Sequence, residues 1–138
     1  MTKSFPPPLP GSEQDEAREL RPRFDDNGLI AAIAQNCETG DVLMLAWMNA
    51  DALQATLDTG KATFWSRSRG ALWVKGETSG HVMDVEEVRI DCDQDAVLLL
   101  VHPKGPACHT HRVSCFYRFA QDANGRLGNT PESDKGTA

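Results

Sequence analysis

Short apolar runs alternate with clusters of turn-forming residues along most of the chain, and a helical period stands out in one place. Leu29 to Ala34 and Val42 to Trp47 have strand length and flank the turn residues Glu38 to Asp41, which predicts a β-hairpin. Asn49 is suited to cap a helix over Ala50 to Thr59, with Leu53 and Leu57 on one face and Gly60 placed to end it. Lys61 to Arg67 and Ala71 to Lys75 read as strands around the turn Ser68-Arg69-Gly70. From Val85 to Ile90, apolar Val88 and Ile90 alternate with charged Glu87 and Arg89, the period of a half-buried strand. Ala96 to Val101 is an unbroken apolar run that predicts a strand buried on both faces. Pro103-Lys104-Gly105-Pro106 reads as a rigid turn and Ser114 to Ala120 as the last strand.

These elements predict an α+β fold, mainly an antiparallel β-sheet with one or two helices in a single domain. The domain is expected over residues 23–120. Residues 1–22 are Pro-rich, then charged, and read as a flexible arm with one loose helical turn at most, through Ser12 to Leu20. Residues 121–138 are polar and read as a flexible tail.

Composition narrows the function. Hydrophobic residues make up 40% and charged residues 25% of the 138, which is ordinary for a soluble globular protein. No stretch approaches the ~20 apolar residues of a membrane span, and Met1 to Gly11 lacks the apolar core of a secretory signal, so a cytoplasmic location is expected. A net charge of -6 argues against nucleic acid as the partner, because phosphate-backbone affinity needs a basic surface. In a reducing compartment the four cysteines read as thiols or metal ligands rather than disulfides. Cys37 stands apart in a turn-like stretch and reads as incidental.

The chemistry concentrates in two stretches. Asp91-Cys92-Asp93-Gln94-Asp95 follows the alternating strand; continuing that period puts Asp91, Asp93 and Asp95 on one face and Cys92 on the other. Converging carboxylates repel one another unless a hard cation such as Mg²⁺ or Ca²⁺ neutralises them. Cys108-His109-Thr110-His111-Arg112-Val113-Ser114-Cys115 adds two cysteines with two histidines between them, donors suited to a softer ion such as Zn²⁺. Between the strands, Lys75-Gly76-Glu77-Thr78-Ser79-Gly80 is a loop whose small residues let backbone N–H groups approach a ligand. Arg67, Arg69, Lys75, Thr78 and Ser79 offer donors that phosphate oxygens accept, and Trp65 and Trp73 offer faces on which a purine could stack.

Trp65-Ser66-Arg67-Ser68-Arg69, Leu72 to Gly80, Asp91 to Asp95, Ala107-Cys108-His109-Thr110 and Ser114-Cys115-Phe116-Tyr117 resemble, in order and spacing, the motifs of phosphoribosyl-AMP cyclohydrolases of histidine biosynthesis. The resemblance covers roughly residues 24 to 119. It implies a hydrolase that opens the adenine ring of 1-(5-phosphoribosyl)-AMP at the N1–C6 bond, with zinc activating the attacking water. It also implies an intertwined homodimer in which Cys108 and Cys115 share zinc with Cys92 of the partner subunit, and Mg²⁺ held by Asp91, Asp93 and Asp95. His109 and Glu77 are the candidates for proton transfer; Arg67, Arg69, Trp73, Lys75, Thr78 and Ser79 are those for substrate binding.

Two positions depart from the family pattern. His111 stands where a Gly usually follows Cys-His-Thr, adding a metal ligand or a different turn. Met83 replaces a usual Gln and loses a possible hydrogen bond to substrate. Two rival readings are open at this point. A zinc nucleobase deaminase would need H-x-E and P-C-x-x-C stretches, and neither is present. A non-enzymatic binding module would close the zinc site with His109 or His111 as fourth ligand.

Overall fold

The computed structural model describes residues 5–131; residues 1–4 of the expected arm and 132–138 of the expected tail lie outside the described residues. Strands β1 (Ile30–Asn36), β2 (Val42–Met48), β5 (Met83–Ile90) and β6 (Ala96–Pro103) form one sheet in the order β2-β1-β6-β5. The outer pairs are antiparallel hairpins, while β1 and β6 run parallel in the middle. The fold is thus α+β with mainly antiparallel strands in a single small domain.

Helix α1 (Ala50–Thr59) starts where the Asn49 side chain accepts a hydrogen bond from the Ala52 N–H at 2.8 Å, and it ends at Gly60 in the left-handed region. Its buried face is Ala52, Leu53 and Thr56 rather than Leu53 with Leu57, because Leu57 is turned to solvent. Thr56 takes that inner place by bonding Ala52 O and Thr63 O and accepting from the Thr63 N–H. The hairpin β3 (Thr63–Ser66) and β4 (Ala71–Val74) forms a separate two-stranded sheet beside α1 and β2, with Phe64 fully buried and stacked at 5.1 Å on Trp73.

The core lies against one face of the four-stranded sheet, where Ala32, Ala34, Val97, Leu99 and Val101 are buried. Burial along β6 alternates, so this strand is buried on one face and only half-covered on the other. The uncovered face is apolar: Ile33 pairs with Leu45 on one side and Leu98 on the other, and Leu45 is 46% exposed.

Both ends of the chain carry structure. Gly11–Glu16 forms a 3₁₀ turn, and Gln14, 1% exposed, donates to Arg21 O and Asp93 O. The expected strand Ser114 to Ala120 shortens to β7 (Arg118–Ala120), paired with β8 (Leu127–Asn129). Residues 114 and 115 are instead fastened to the open edge of β2: the Cys115 N–H donates to Leu43 O at 2.7 Å and the Ser114 hydroxyl to Val42 O at 2.7 Å. Among the described residues no helix is long and apolar enough to cross a membrane.

Candidate metal and substrate site

The carboxylates come together in a turn rather than on a strand face. β5 ends at Ile90, and residues 91–95 form the tight connection to β6. The Asp91 side chain accepts from the Asp95 N–H at 2.8 Å and the Ala96 N–H at 3.2 Å, while Gln94 adopts a positive φ of 62°. This folds the strand alternation away, yet one oxygen each from Asp91, Asp93 and Asp95 lies within 4.8 Å of the others. Hydrogen bonds with Asp91 and Asp93, together with their negative charge, push Asp95 up to about 6. Burial works to raise Asp91 as well, but the hydrogen bonds it receives from Asp95 and Ala96 outweigh it and its pKa falls. Three converging carboxylate oxygens, one of them in a group whose pKa its neighbours raise, form a donor set that fits a hard divalent cation.

Gln94, which the sequence reading passed over, fixes this turn. It is 5% exposed; its side-chain oxygen accepts from the Arg21 N–H at 2.7 Å and its main-chain oxygen from the Arg23 N–H at 2.7 Å. The N-terminal segment therefore clasps the acidic turn, through contacts across 73 and 79 residues that no local sequence pattern announces.

Cys108 and Cys115 face each other. The Cys108 N–H donates to Arg112 O and the His111 N–H to Cys108 O, closing a loop that brings the second cysteine back toward the first. Burial works against the Cys108 thiolate, but donation from the Thr110 hydroxyl at 3.0 Å, the Thr110 N–H and the Cys115 thiol lowers its pKa overall. The Cys115 residue reaches the surface, yet partial burial of its thiol and the negative charge of Cys108 push it up to about 11, against the pull of nearby Lys75. Two sulfurs facing each other, one of them favoured as the thiolate, are donors suited to a soft cation. Cys92 is exposed on the acidic turn, and among the described residues neither it nor His109 or His111 joins Cys108 and Cys115 in a group of three close donors.

His111 takes the different turn. It sits at φ 68°, where a Gly is at ease, and its ring meets that of His81 edge-on at 6.3 Å. Met83 is 1% exposed and packs in the core. The substrate candidates divide. Arg69, Trp73, Lys75, Glu77, Thr78 and Ser79 line one cleft of about 230 Å³, whereas Arg67 lies over the Trp47 ring at 5.0 Å in a neighbouring cleft of about 710 Å³ that Trp73 also borders. His109 is exposed on the cysteine loop. The pull of Lys75 on Cys115 ties the first cleft to the cysteine pair.

A third grouping was not foreseen. Cys37, Glu86 and His102 bring a sulfur, a carboxylate oxygen and an imidazole nitrogen within 4.8 Å of one another.

The family model for phosphoribosyl-AMP cyclohydrolase matches residues 44–117. A phosphoribosyl-AMP cyclohydrolase of Hyphomonas neptunium is 76% identical over 130 residues, 94% of this chain and 98% of its own length. The chain belongs to the phosphoribosyl-AMP cyclohydrolase family. Others of that name are 61% identical in Cereibacter sphaeroides, over 75% of this chain and 87% of the relative, and 52% in Roseobacter denitrificans, over 86% and 98%. The family match takes in most of β2, the cleft loop, the acidic turn and the cysteine loop, while β1, β7 and β8 lie outside it.

Proposed function

We propose that this chain is a phosphoribosyl-AMP cyclohydrolase acting in histidine biosynthesis, opening the adenine ring of 1-(5-phosphoribosyl)-AMP at N1–C6 to the formimino aminoimidazole carboxamide ribotide. The observation that carries this reading is the meeting of Cys108 and Cys115 near the cleft that holds Arg69 and Lys75, inside the region that matches the family model.

Cys108 and Cys115 of one subunit, with Cys92 of the partner subunit, would hold Zn²⁺; Asp91, Asp93 and Asp95 would hold Mg²⁺. Bound zinc supplies Lewis acidity, bringing the pKa of water toward ~7. The remaining work falls to the chain. Arg69, Lys75, Thr78 and Ser79 bind phosphate oxygens from one cleft, with backbone N–H groups of the loop beside them. Trp73, between the two clefts and braced by Phe64, orients the base. Substitution on N1 makes the ring electron-poor, so C6 is open to water, and collapse of the tetrahedral centre needs a proton at N1. His109 on the cysteine loop and Glu77 on the cleft are our candidates to move it. Mg²⁺ at the acidic turn would hold a substrate phosphate.

A homodimer is part of this reading. Cys92 lacks the other two cysteines within its own chain, and the half-exposed apolar face around Ile33, Leu45 and Leu98 is suited to meet a second copy. Ring opening of phosphoribosyl-AMP by purified protein with Zn²⁺ and Mg²⁺, beside Cys108→Ser, tests the function. Turnover in the first and loss of both zinc and turnover in the second are expected; turnover in Cys108→Ser without zinc would overturn the zinc reading.

A further inference from the structure

We propose that Cys37, Glu86 and His102 form a separate binding site for a borderline-soft divalent transition-metal ion, of which Zn²⁺ is the type. The site is independent of the functional reading above. His102 lies seven residues along β6 from Asp95, about 23 Å at the ~3.3 Å rise of a strand residue, so the site stands at the opposite end of the sheet from the acidic turn.

Two features of the sheet build it. The Cys37 N–H donates to Val101 O at 2.9 Å, carrying the parallel pairing of β1 and β6 one residue past the strand and setting Cys37 beside His102. On the other side, the register between β5 and β6 shifts between Val85 and Glu87, which leaves Glu86 without a partner and re-aims its side chain at His102. Cys37 Sγ is 3.3 Å from each ring nitrogen of His102, and Glu86 Oε2 is 2.8 Å from Nε2. Two ligands on one tetrahedral zinc, with Zn–S of ~2.3 Å and Zn–N of ~2.0 Å, stand roughly 3.5 Å apart. Cys37 Sγ and His102 Nε2 are close to that spacing; Sγ lies over the ring face and Glu86 Oε2 at hydrogen-bond distance, so a turn of the His102 ring brings the three donors onto one ion.

Glu38 completes the arrangement. Its Oε1 lies 3.4 Å from His102 Nδ1, placed to accept the Nδ1 proton, so that the Nε2 lone pair is left for the ion. A simple ion pair of His102 with two carboxylates accounts for Glu38 and Glu86; it gives no reason for a sulfur at contact distance from the same ring. One thiolate, one imidazole and one carboxylate, with water in the fourth position, match a borderline ion better than Mg²⁺ or Ca²⁺.

The test uses full-length protein stripped of metal and titrated with Co²⁺, whose bond to thiolate adds a charge-transfer absorption, with bound ions counted after dialysis. Wild type is expected to bind one ion per chain more than Cys37→Ser or His102→Ala, while Cys37→Ser keeps its turnover. In a background lacking Cys92, Cys108 and Cys115 the thiolate absorption should persist and then vanish when Cys37→Ser is added. Equal ion counts in wild type and Cys37→Ser overturn the proposal, and that comparison decides by itself if this background does not fold. An absorption that survives Cys37→Ser in a background lacking Cys92, Cys108 and Cys115 overturns it equally.

Discussion

A Cβ added to Gly76 would lie 2.2 Å from the carbonyl carbon of His81, at a φ of +81° that side chains rarely adopt. The cleft loop can turn back on itself only because this residue has no side chain. Gly76→Ala is therefore expected to destabilise the fold by at least ~1–3 kcal/mol in denaturant unfolding, and to raise KM for the nucleotide by displacing Lys75 and Thr78. His111 presents the reverse case: a side chain held at φ 68°, where Gly is at ease. His111→Gly should gain about 1 kcal/mol, read from the shift in the denaturation midpoint, because the strain removed exceeds one edge contact with His81. The sequence made the ligand types legible here, since cysteines and aspartates advertise their chemistry. It could not show that His111 serves a turn, or that Cys37 meets His102, because φ angles and contacts across 65 residues leave no local pattern.

The acidic turn shows what an element adds. Strand period alone would have set the three aspartates on one face; the Asp91 side chain instead captures the N–H groups of Asp95 and Ala96 and folds them into a turn. Convergence of the carboxylates was legible and its cause was not. Because Gln14 donates to Asp93 O from the N-terminal 3₁₀ turn, Gln14→Ala is expected to weaken Mg²⁺ binding several-fold by calorimetry while leaving zinc content unchanged. Asp84 on β5 serves the cleft side: it pairs with Lys61, ahead of β3, and with Lys104 at 3.2 Å, in the turn that leads to Cys108. Hydrogen bonds from Lys61 and then Lys104 hold its pKa below the ordinary 3.8. Its folded value being the lower one, the stabilisation is complete above about pH 3.8 and is lost as pH falls through the folded value. Melting temperatures of wild type and Asp84→Asn should thus differ near neutrality and converge in acid; a constant gap down to pH ~2 would contradict this role.

At the scale of the molecule, the α+β class, the β1–β2 hairpin and the capped helix follow from period and turn residues in the sequence. The parallel join of β1 to β6 does not, since strands 60 or more residues apart in the chain choose each other through the whole core. The same distance separates what one chain can assemble from what the proposed chemistry requires. Cys108 and Cys115 are together, whereas Cys92 is exposed on the acidic turn, and one face of the sheet leaves Leu45 exposed. If zinc is shared across a two-fold dimer, each site takes Cys92 from one subunit and Cys108 with Cys115 from the other. The direct measurement is to mix inactive Cys92→Ser with inactive Cys108→Ser under conditions that exchange subunits, and to assay turnover of phosphoribosyl-AMP. Every mixed dimer then holds one intact site, and about a quarter of wild-type activity should return at equal mixing. No recovery, with subunit exchange verified by mass after isotopic labelling of one variant, would contradict a zinc site built from two chains.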